Sequence, residues 1–356
     1  MQEFIPAYLY YDIYVNSLLV LLLFVYFHCF VLNLDDRRNL LFINISGYIL
    51  LLALTLFMGL RPVSLVFVDM GQYAVDFLNY QYGEPIDTRK DVVFEYFIYY
   101  CSKFLSVKGF FFLCLLLYII PKFWISKYYF GPYWFYAFIA IVGSFSFWTY
   151  GVNGIRNGIA TSMFLTALCL DKSKAQYVFL ALSYLFHSSL ILPTLAWIMV
   201  KFYNNPKIYL LAWLGAIPTS FVLGGFFTSM FAALGFGDDR LASYLAGSSG
   251  SFRFDFLFYS SFPVFAGWYF IFKKNFRDKV YTMLFNTYLI CNLFWVLIIR
   301  ANFSNRFAYL SWFLMALVIF YPLLKEKLFD KQRLVLSKVL MLYFLFTYLM
   351  YFVYYD

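Results

Sequence analysis

The stretch Ser17-Leu-Leu-Val-Leu-Leu-Leu-Phe-Val-Tyr-Phe-His28 decides the class of the fold. It carries no acid, lysine or arginine, and its apolar character extends over 14–33. A helix rises about 1.5 Å per residue, so about 20 such residues match the ~30 Å hydrocarbon core of a bilayer. The run lacks the polar face of a surface helix in a soluble domain. Glu3 and Asp12 precede it in place of a basic segment, so it reads as a first span rather than a cleaved signal.

The same reading repeats along the chain. Polar breaks delimit ten candidate spans, at 14–33, 40–58, 110–126, 133–150, 151–170, 208–226, 255–272, 280–299, 307–324 and 339–355. A membrane β-barrel would instead show alternating segments of about 10 residues. Composition agrees: of 356 residues 64% are apolar, 25% aromatic and only 13% charged, against about 25% charged in soluble domains. A soluble enzyme, a disordered chain and a disulfide scaffold are excluded. The expected fold is an all-α integral membrane protein of about 10 transmembrane helices, with residues 1–356 forming one polytopic domain.

The stretch 175–200 does not fit that scheme. It is long for one span, short for two, and carries His187, Ser188, Ser189 and Pro193 at its middle. A broken or re-entrant hairpin and a single kinked span both accommodate it, and the distribution of charge favours the hairpin. With it, 17 of the 27 basic residues share one side, which is then the cytoplasm. They comprise 13 lysines and 4 arginines, whereas the opposite side holds 3 lysines and 7 arginines: Arg61, Arg89, Arg156, Arg240, Arg253, Arg300 and Arg306. The net charge of +9 is therefore a topological charge, not a nucleic-acid signal. Lysine is enough to orient a chain, but the planar arginine fork matches phosphate and carboxylate oxygens in pairs. An arginine-rich outer side points to an anionic ligand there.

Outer loops near 59–109 and 227–254 are long enough to form an active-site face. The first holds Asp69, Asp76, Glu84, Asp87, Asp91 and Glu95, a third of the 18 acids, interleaved with Val, Phe, Tyr and Leu in the manner of interfacial amphipathic helices. The second holds Asp238-Asp239-Arg240 and the Gly/Ser run 247–251.

Three segments carry possible chemistry. In Gly151-Val-Asn-Gly-Ile-Arg-Asn-Gly-Ile-Ala-Thr-Ser162, a continuous helix would place Gly154, Gly158 and Ser162 on one close-packing face. Asn153, Arg156 and Asn157 would adjoin that face. An arginine there either snorkels from a helix end or serves a function. In Ser183-Tyr-Leu-Phe-His-Ser-Ser189, His187 could take a proton at neutral pH or merely bridge helices. In Arg300-Ala-Asn-Phe-Ser-Asn-Arg306, two close guanidiniums suit an intervening anion or an ordinary surface. No Asp-x-Asp and no metal-ligand spacing of His, Cys or Glu occurs, so a divalent metal or other cofactor has no sequence support.

At these residues the chain resembles the EpsG/Wzy-type polysaccharide polymerases. The resemblance runs from about 93 to 200: Phe94-Glu95-Tyr-Phe before a span, the loop Lys127-Tyr-Tyr, Asn153-Gly-Ile-Arg156-Asn-Gly-Ile-Ala160, and Leu185-Phe-His187-Ser-Ser. The family's usual Gly-Ile-Arg-Gln here has Asn157 in place of Gln. Asp69 and Tyr73 correspond to an Asp-then-Tyr element of the first outer loop, and Arg306 to a later arginine.

The resemblance implies a GT-C-like fold and a metal-independent glycosyltransferase at the outer face of a bacterial inner membrane. It would polymerise O-antigen or exopolysaccharide repeat units carried on undecaprenyl pyrophosphate. Expected roles follow: His187 as base in preference to Asp69 and Glu95; Arg156, Arg300, Arg306 and Arg240 on pyrophosphate; Asn153, Asn157 and Tyr73 on substrate. Partners would be lipid-linked oligosaccharides and membrane lipid, with a Wzz-type chain-length regulator and a flippase as candidates, and no nucleic acid. An O-antigen ligase shares this chemistry. A flippase or transporter would show mid-membrane charge and related halves, and the sequence shows neither.

Overall fold

The computed structural model describes residues 5–86, 91–170, 173–233, 251–301 and 304–354. Every regular element among them is helical. In chain order these are α1 (Tyr10–Val31), α2 (Arg37–Gly59), α3 (Asp69–Gln81), α4 (Val92–Phe104), α5 (Val107–Phe130), α6 (Trp134–Val142), α7 (Phe147–Val152), α8 (Ile155–Cys169), α9 (Ala175–Phe186), α10 (Ile191–Phe202), α11 (Pro206–Ala233), α12 (Phe254–Trp268), α13 (Lys279–Leu297), α14 (Asn305–Trp312), α15 (Met315–Lys325) and α16 (Gln332–Tyr354).

Among the described residues, seven helical runs are long and apolar enough to cross a membrane: Ala7–Val31, Arg37–Gly59, Val107–Val142, Pro206–Phe231, Lys279–Leu297, Asn305–Lys325 and Gln332–Val353. They account for seven of the ten expected spans. The other three are interrupted. Residues 133–150 divide between α6 and α7, and 151–170 between α7 and α8. In 255–272, α12 gives way to a short π-helix at Tyr269–Lys273. The stretch 175–200 breaks where expected, at His187. It becomes two 12-residue helices, each about 18 Å long and too short to cross alone.

Polar residues at the breaks set the helix ends. The Asp36 side chain accepts from the Arg38 amide at 2.9 Å and starts α2. Ser106 accepts from the Gly109 amide at 3.2 Å at the start of α5, and Asp278 from the Tyr281 amide at 2.8 Å at the start of α13. These caps satisfy amides that the first helical turn leaves unbonded.

The chain groups into two compact units, residues 1–188 with 329–356, and 189–328. In the first, α1 packs on α16, α2 on α5 and α6, α5 on α8, and α8 on α9, while α4 lies against both α3 and α9. The Tyr14 hydroxyl donates to the Val142 carbonyl at 2.6 Å, and the Thr347 hydroxyl to that of Gly143 at 2.9 Å. Both α1 and α16 thus hold the end of α6. In the second unit, α13 is central, touching α10, α11, α12, α14 and α15. Asn292 on α13 accepts from the Trp213 indole at 2.7 Å and donates to the Ser311 hydroxyl at 2.9 Å. In apolar surroundings such bonds specify which helices meet, since the hydrophobic effect does not.

Candidate functional site

The site is built on the break between α7 and α8. The Asn153 and Gly154 amides both reach back to the Thr149 carbonyl, at 2.8 and 3.1 Å, which ends α7. Gly154 then serves as N-cap of α8 with no side chain capping that helix. The expected small-residue face is accordingly split: Gly154 terminates one helix, and only Gly158 and Ser162 pack along the next. A Cβ on Gly158 would lie 2.1 Å from the Tyr150 carbonyl oxygen, so glycine alone lets α8 fold back this closely on α7. Ser162 donates to the Tyr118 carbonyl of α5 at 2.9 Å.

Arg156 is the second residue of α8, where the helix dipole adds partial positive charge. Its Nη1 lies 3.0 Å from Asp91 Oδ2, and its Nε donates to the Tyr73 hydroxyl at 3.3 Å. The guanidinium also stands 5.8 Å from the ring centres of both Tyr73 and Phe94. The Asp91 side chain is 5% exposed and that of Arg156 22%, so a largely buried acid grips a partly accessible base. The other Asp91 oxygen accepts from the Ser188 amide at 3.0 Å. One carboxylate therefore joins Arg156 to the residue that follows His187.

Asp91 adopts left-handed backbone, φ 44° and ψ 48°, and its side chain does not cap α4, which it precedes. That conformation is uncommon outside glycine, though Asp tolerates it better than most residues. Tyr73 sits on α3 one turn after Asp69, which is half-buried at the start of that helix. Burial pushes the Tyr73 hydroxyl up from its ordinary pKa, with Arg156 opposing and Asp69 and Asp91 reinforcing the rise. It stays a neutral phenol at physiological pH.

The structure thus brings Tyr73, Arg156 and the backbone beside His187 together, with Asp69 near Tyr73. His187 itself is the half-buried C-cap of α9 in extended backbone, its amide donating to the Ser183 carbonyl at 3.2 Å. Glu95, one turn into α4, accepts from the Tyr80 hydroxyl at 2.7 Å and so ties α4 to α3. Asn153 and Asn157 flank Arg156, and the Oδ1 of each is buried with no hydrogen-bond donor. Arg300 and Arg306 belong to the second unit. Arg300 follows α13 and lies 5.9 Å from the ring centre of Phe221, while Arg306 is exposed in the first turn of α14. Arg240 lies outside the described residues.

Two basic residues gain a place that the sequence reading did not assign. Arg61 is 3% exposed. It donates to the Met58 carbonyl and, at 3.3 Å, to the Val152 carbonyl, clipping the end of α2 to the end of α7 beside Asn153. Burial lowers its pKa to about 10, so it remains a cation at neutral pH. The signal was the outer arginine in Arg61-Pro62 directly after an apolar run. Lys122, inside the expected span 110–126, is a buried cation of α5 where the sequence reading saw no mid-membrane charge, with Nζ 2.6 Å from Ser162 Oγ on α8 and 3.3 Å from the Tyr118 ring centre. Asp91 was visible only as one of six acids. Among the described residues, no group of three His, Cys, Asp or Glu is placed to hold a metal ion.

Helices of membrane-crossing length, together with an arginine held at a helix break, mark an integral membrane protein that carries a charged site. The chain belongs to the EpsG family, which residues 44–356 match. It is thereby a multi-pass membrane protein of polysaccharide-polymerase type, acting on lipid-linked saccharides. No curated protein and no solved structure matches it.

Proposed function

We propose that the protein polymerises oligosaccharide repeat units carried on undecaprenyl pyrophosphate, at the periplasmic face of a bacterial inner membrane and within a GT-C-like architecture. The observation that carries this reading is Arg156, fixed by Asp91 and Tyr73 at the uncapped start of α8, between two asparagines with unpaired carbonyls.

In the transfer, a hydroxyl of the acceptor sugar attacks the anomeric carbon of the donor chain. The new glycosidic bond forms as the bond from that carbon to the pyrophosphate oxygen breaks. The leaving polyprenyl pyrophosphate takes the electron pair, and the acceptor's proton passes to a base. Arg156 and the α8 N-terminus suit the charge that develops on the leaving group. Arg300, Arg306 and Arg240 are the further arginines proposed for pyrophosphate. Asn153 and Asn157 each offer a buried acceptor to a sugar hydroxyl.

His187 is the proposed base. The peptide that follows it is bonded to the same carboxylate as Arg156, while Glu95 is already engaged by Tyr80. Asp69 is the alternative acid for that role. Arg156→Ala in a strain lacking the chromosomal copy, with membrane levels matched, should lower polymerisation about 10²–10³-fold, the usual cost of removing one such donor. Lipid-linked single units should accumulate. Full-length polymer in that variant would overturn the reading, and accumulation of lipid-linked polymer in the deletion strain would indicate a ligase instead. His187→Ala with undiminished polymer would remove His187 as the base.

A further inference from the structure

A second polar site lies at the other end of the first unit's spans, where the α1–α2 turn meets the α5–α6 turn. There a cavity of about 540 Å³ is lined by Arg37, Leu40, Leu41 and Asn44 of α2, Lys127 of α5, Gly131 and Pro132 of the following turn, and Trp134 of α6. Its size falls in the range of small-ligand sites, about 300–1,000 Å³. Arg37 opens the span 37–59 and Lys127 lies in the last turn of the 24-residue α5. The cavity is therefore at a membrane boundary.

Its chemistry is one-sided. The lining holds two cations and no carboxylate. Lys127 Nζ donates to the Tyr48 hydroxyl at 2.5 Å and stands 4.8, 5.5 and 5.3 Å from the ring centres of Tyr48, Phe123 and Trp134. An aromatic box thus fixes the amine at the cavity wall without neutralising it. Among the described residues, neither Lys127 nor Arg37 is paired with an acid. The two acids of the adjoining turn hold other partners: Asp36 pairs with Arg38 at 3.3 Å, and Asp35, at the edge of the cavity, accepts from the hydroxyl of Tyr133, which lies between the lining residues Pro132 and Trp134. Asn44 Oδ1 accepts from the Trp134 indole at 3.2 Å, which leaves the asparagine's N–H groups as the remaining donors. Leu40 and Leu41 supply the apolar wall.

We propose that this cavity binds the phosphate of an anionic phospholipid headgroup. A guanidinium, an ammonium and an amide N–H converge there with the hydrogen bonding that a phosphate diester accepts. Exposed Leu41 and the exposed apolar flank of α2 at Ile45, Ile49 and Leu52 lie along the same helix for the acyl chains. The same donors would accept a free phosphate, and the membrane boundary favours the lipid. The assignment is independent of the transfer reaction.

The test uses the purified full chain in nanodiscs of phosphatidylcholine doped with phosphatidylglycerol, with retained lipids counted by native mass spectrometry. The wild type should retain phosphatidylglycerol preferentially. Arg37→Gln with Lys127→Gln should lower that preference roughly thirtyfold, about fivefold for each basic residue near an anionic surface. Asn44→Asp preserves the acceptor for Trp134 while adding a carboxylate, and it should abolish the preference without disturbing the fold. It decides the matter if the double variant does not fold. Lys201→Gln with Lys207→Gln, in the second unit, removes the same charge from the same predicted side without touching the cavity, and should lower the preference less than the Arg37 and Lys127 pair. An equal loss would assign the preference to general surface charge and overturn the site. An absent preference in the wild type, or one that survives both Asn44→Asp and the double variant, overturns the proposal. Displacement of phosphatidylglycerol by inorganic phosphate, with no binding of short-chain phosphatidylglycerol, assigns the cavity to the free anion and overturns the lipid.

Discussion

Asp91 has one side chain and two obligations, to Arg156 and to the Ser188 amide. A charge-assisted bond to a buried group is stronger than a neutral one, and removing one partner leaves the other desolvated and unpaired. Asp91→Asn keeps an acceptor but loses the charge. In the proposed reaction it should lower polymerisation about tenfold or more, and Asp91→Glu should recover part of the loss. The measurement is polymer length at matched membrane levels. Asp91→Asn and Arg156→Ala should also be non-additive, because they share one contact. Additive losses would mean that Asp91 acts elsewhere. Sequence could not single this residue out: six acids in one loop have equal standing until a fold chooses among them. Arg156 was legible for the opposite reason, since a charge among glycines and apolar residues has no neutral explanation as cheap as an acid in a polar loop.

Helices here end where residues of poor helix propensity coincide with a donor already committed elsewhere, and that conjunction limits what periodicity reveals. Gly154, Gly158 and Ser162 have the spacing of a continuous helix face, yet Asn153 and Gly154 turn their amides back to Thr149 and end the helix between them. The break at His187 was legible because Ser188, Ser189 and Pro193 interrupt an apolar stretch. The break at Gly154 was not, because its glycine also fitted a packing stripe. The α5–α8 contact follows from the small residues that were read correctly. Gly158→Ala would set a methyl against the Tyr150 carbonyl and should destabilise the protein by about 1–3 kcal/mol, the usual range for overpacking. Ser162→Val should cost about 1–3 kcal/mol by leaving the Lys122 amine without its closest partner. Lys122→Met, which removes the amine and keeps most of the volume, should cost less than Ser162→Val. Thermal unfolding in detergent ranks the three, and a larger loss in Lys122→Met would show that the amine itself is needed.

At the scale of the whole molecule, the excess of lysine on one side and arginine on the other predicts an orientation that can be measured directly. In a Cys101→Ser background, Tyr82→Cys in the first outer loop should react with a membrane-impermeant maleimide in cells whose outer membrane is permeabilised. Lys327→Cys should react only after lysis. Both positions are exposed, so the reverse pattern would invert the topology. Membrane class and most spans were legible because long apolar runs admit few alternatives. The grouping of helices was not, since apolar surfaces alone do not say which neighbour each one meets. The two contacts of Asp91 also set an order in time. Its partners stand 65 and 97 residues further along the chain. At about 5–20 residues per second of synthesis, roughly 5–20 s separate the emergence of Asp91 from that of Ser188. During that interval the helices 69–81 and 92–104 have been made but cannot yet be fastened through Asp91. The joint at Asp91 is thus a late event of biogenesis: Glu95 and Tyr80 can tie the helices 69–81 and 92–104 to each other early, but their fastening to the start of α8 and to the segment after His187 waits until Ser188 arrives.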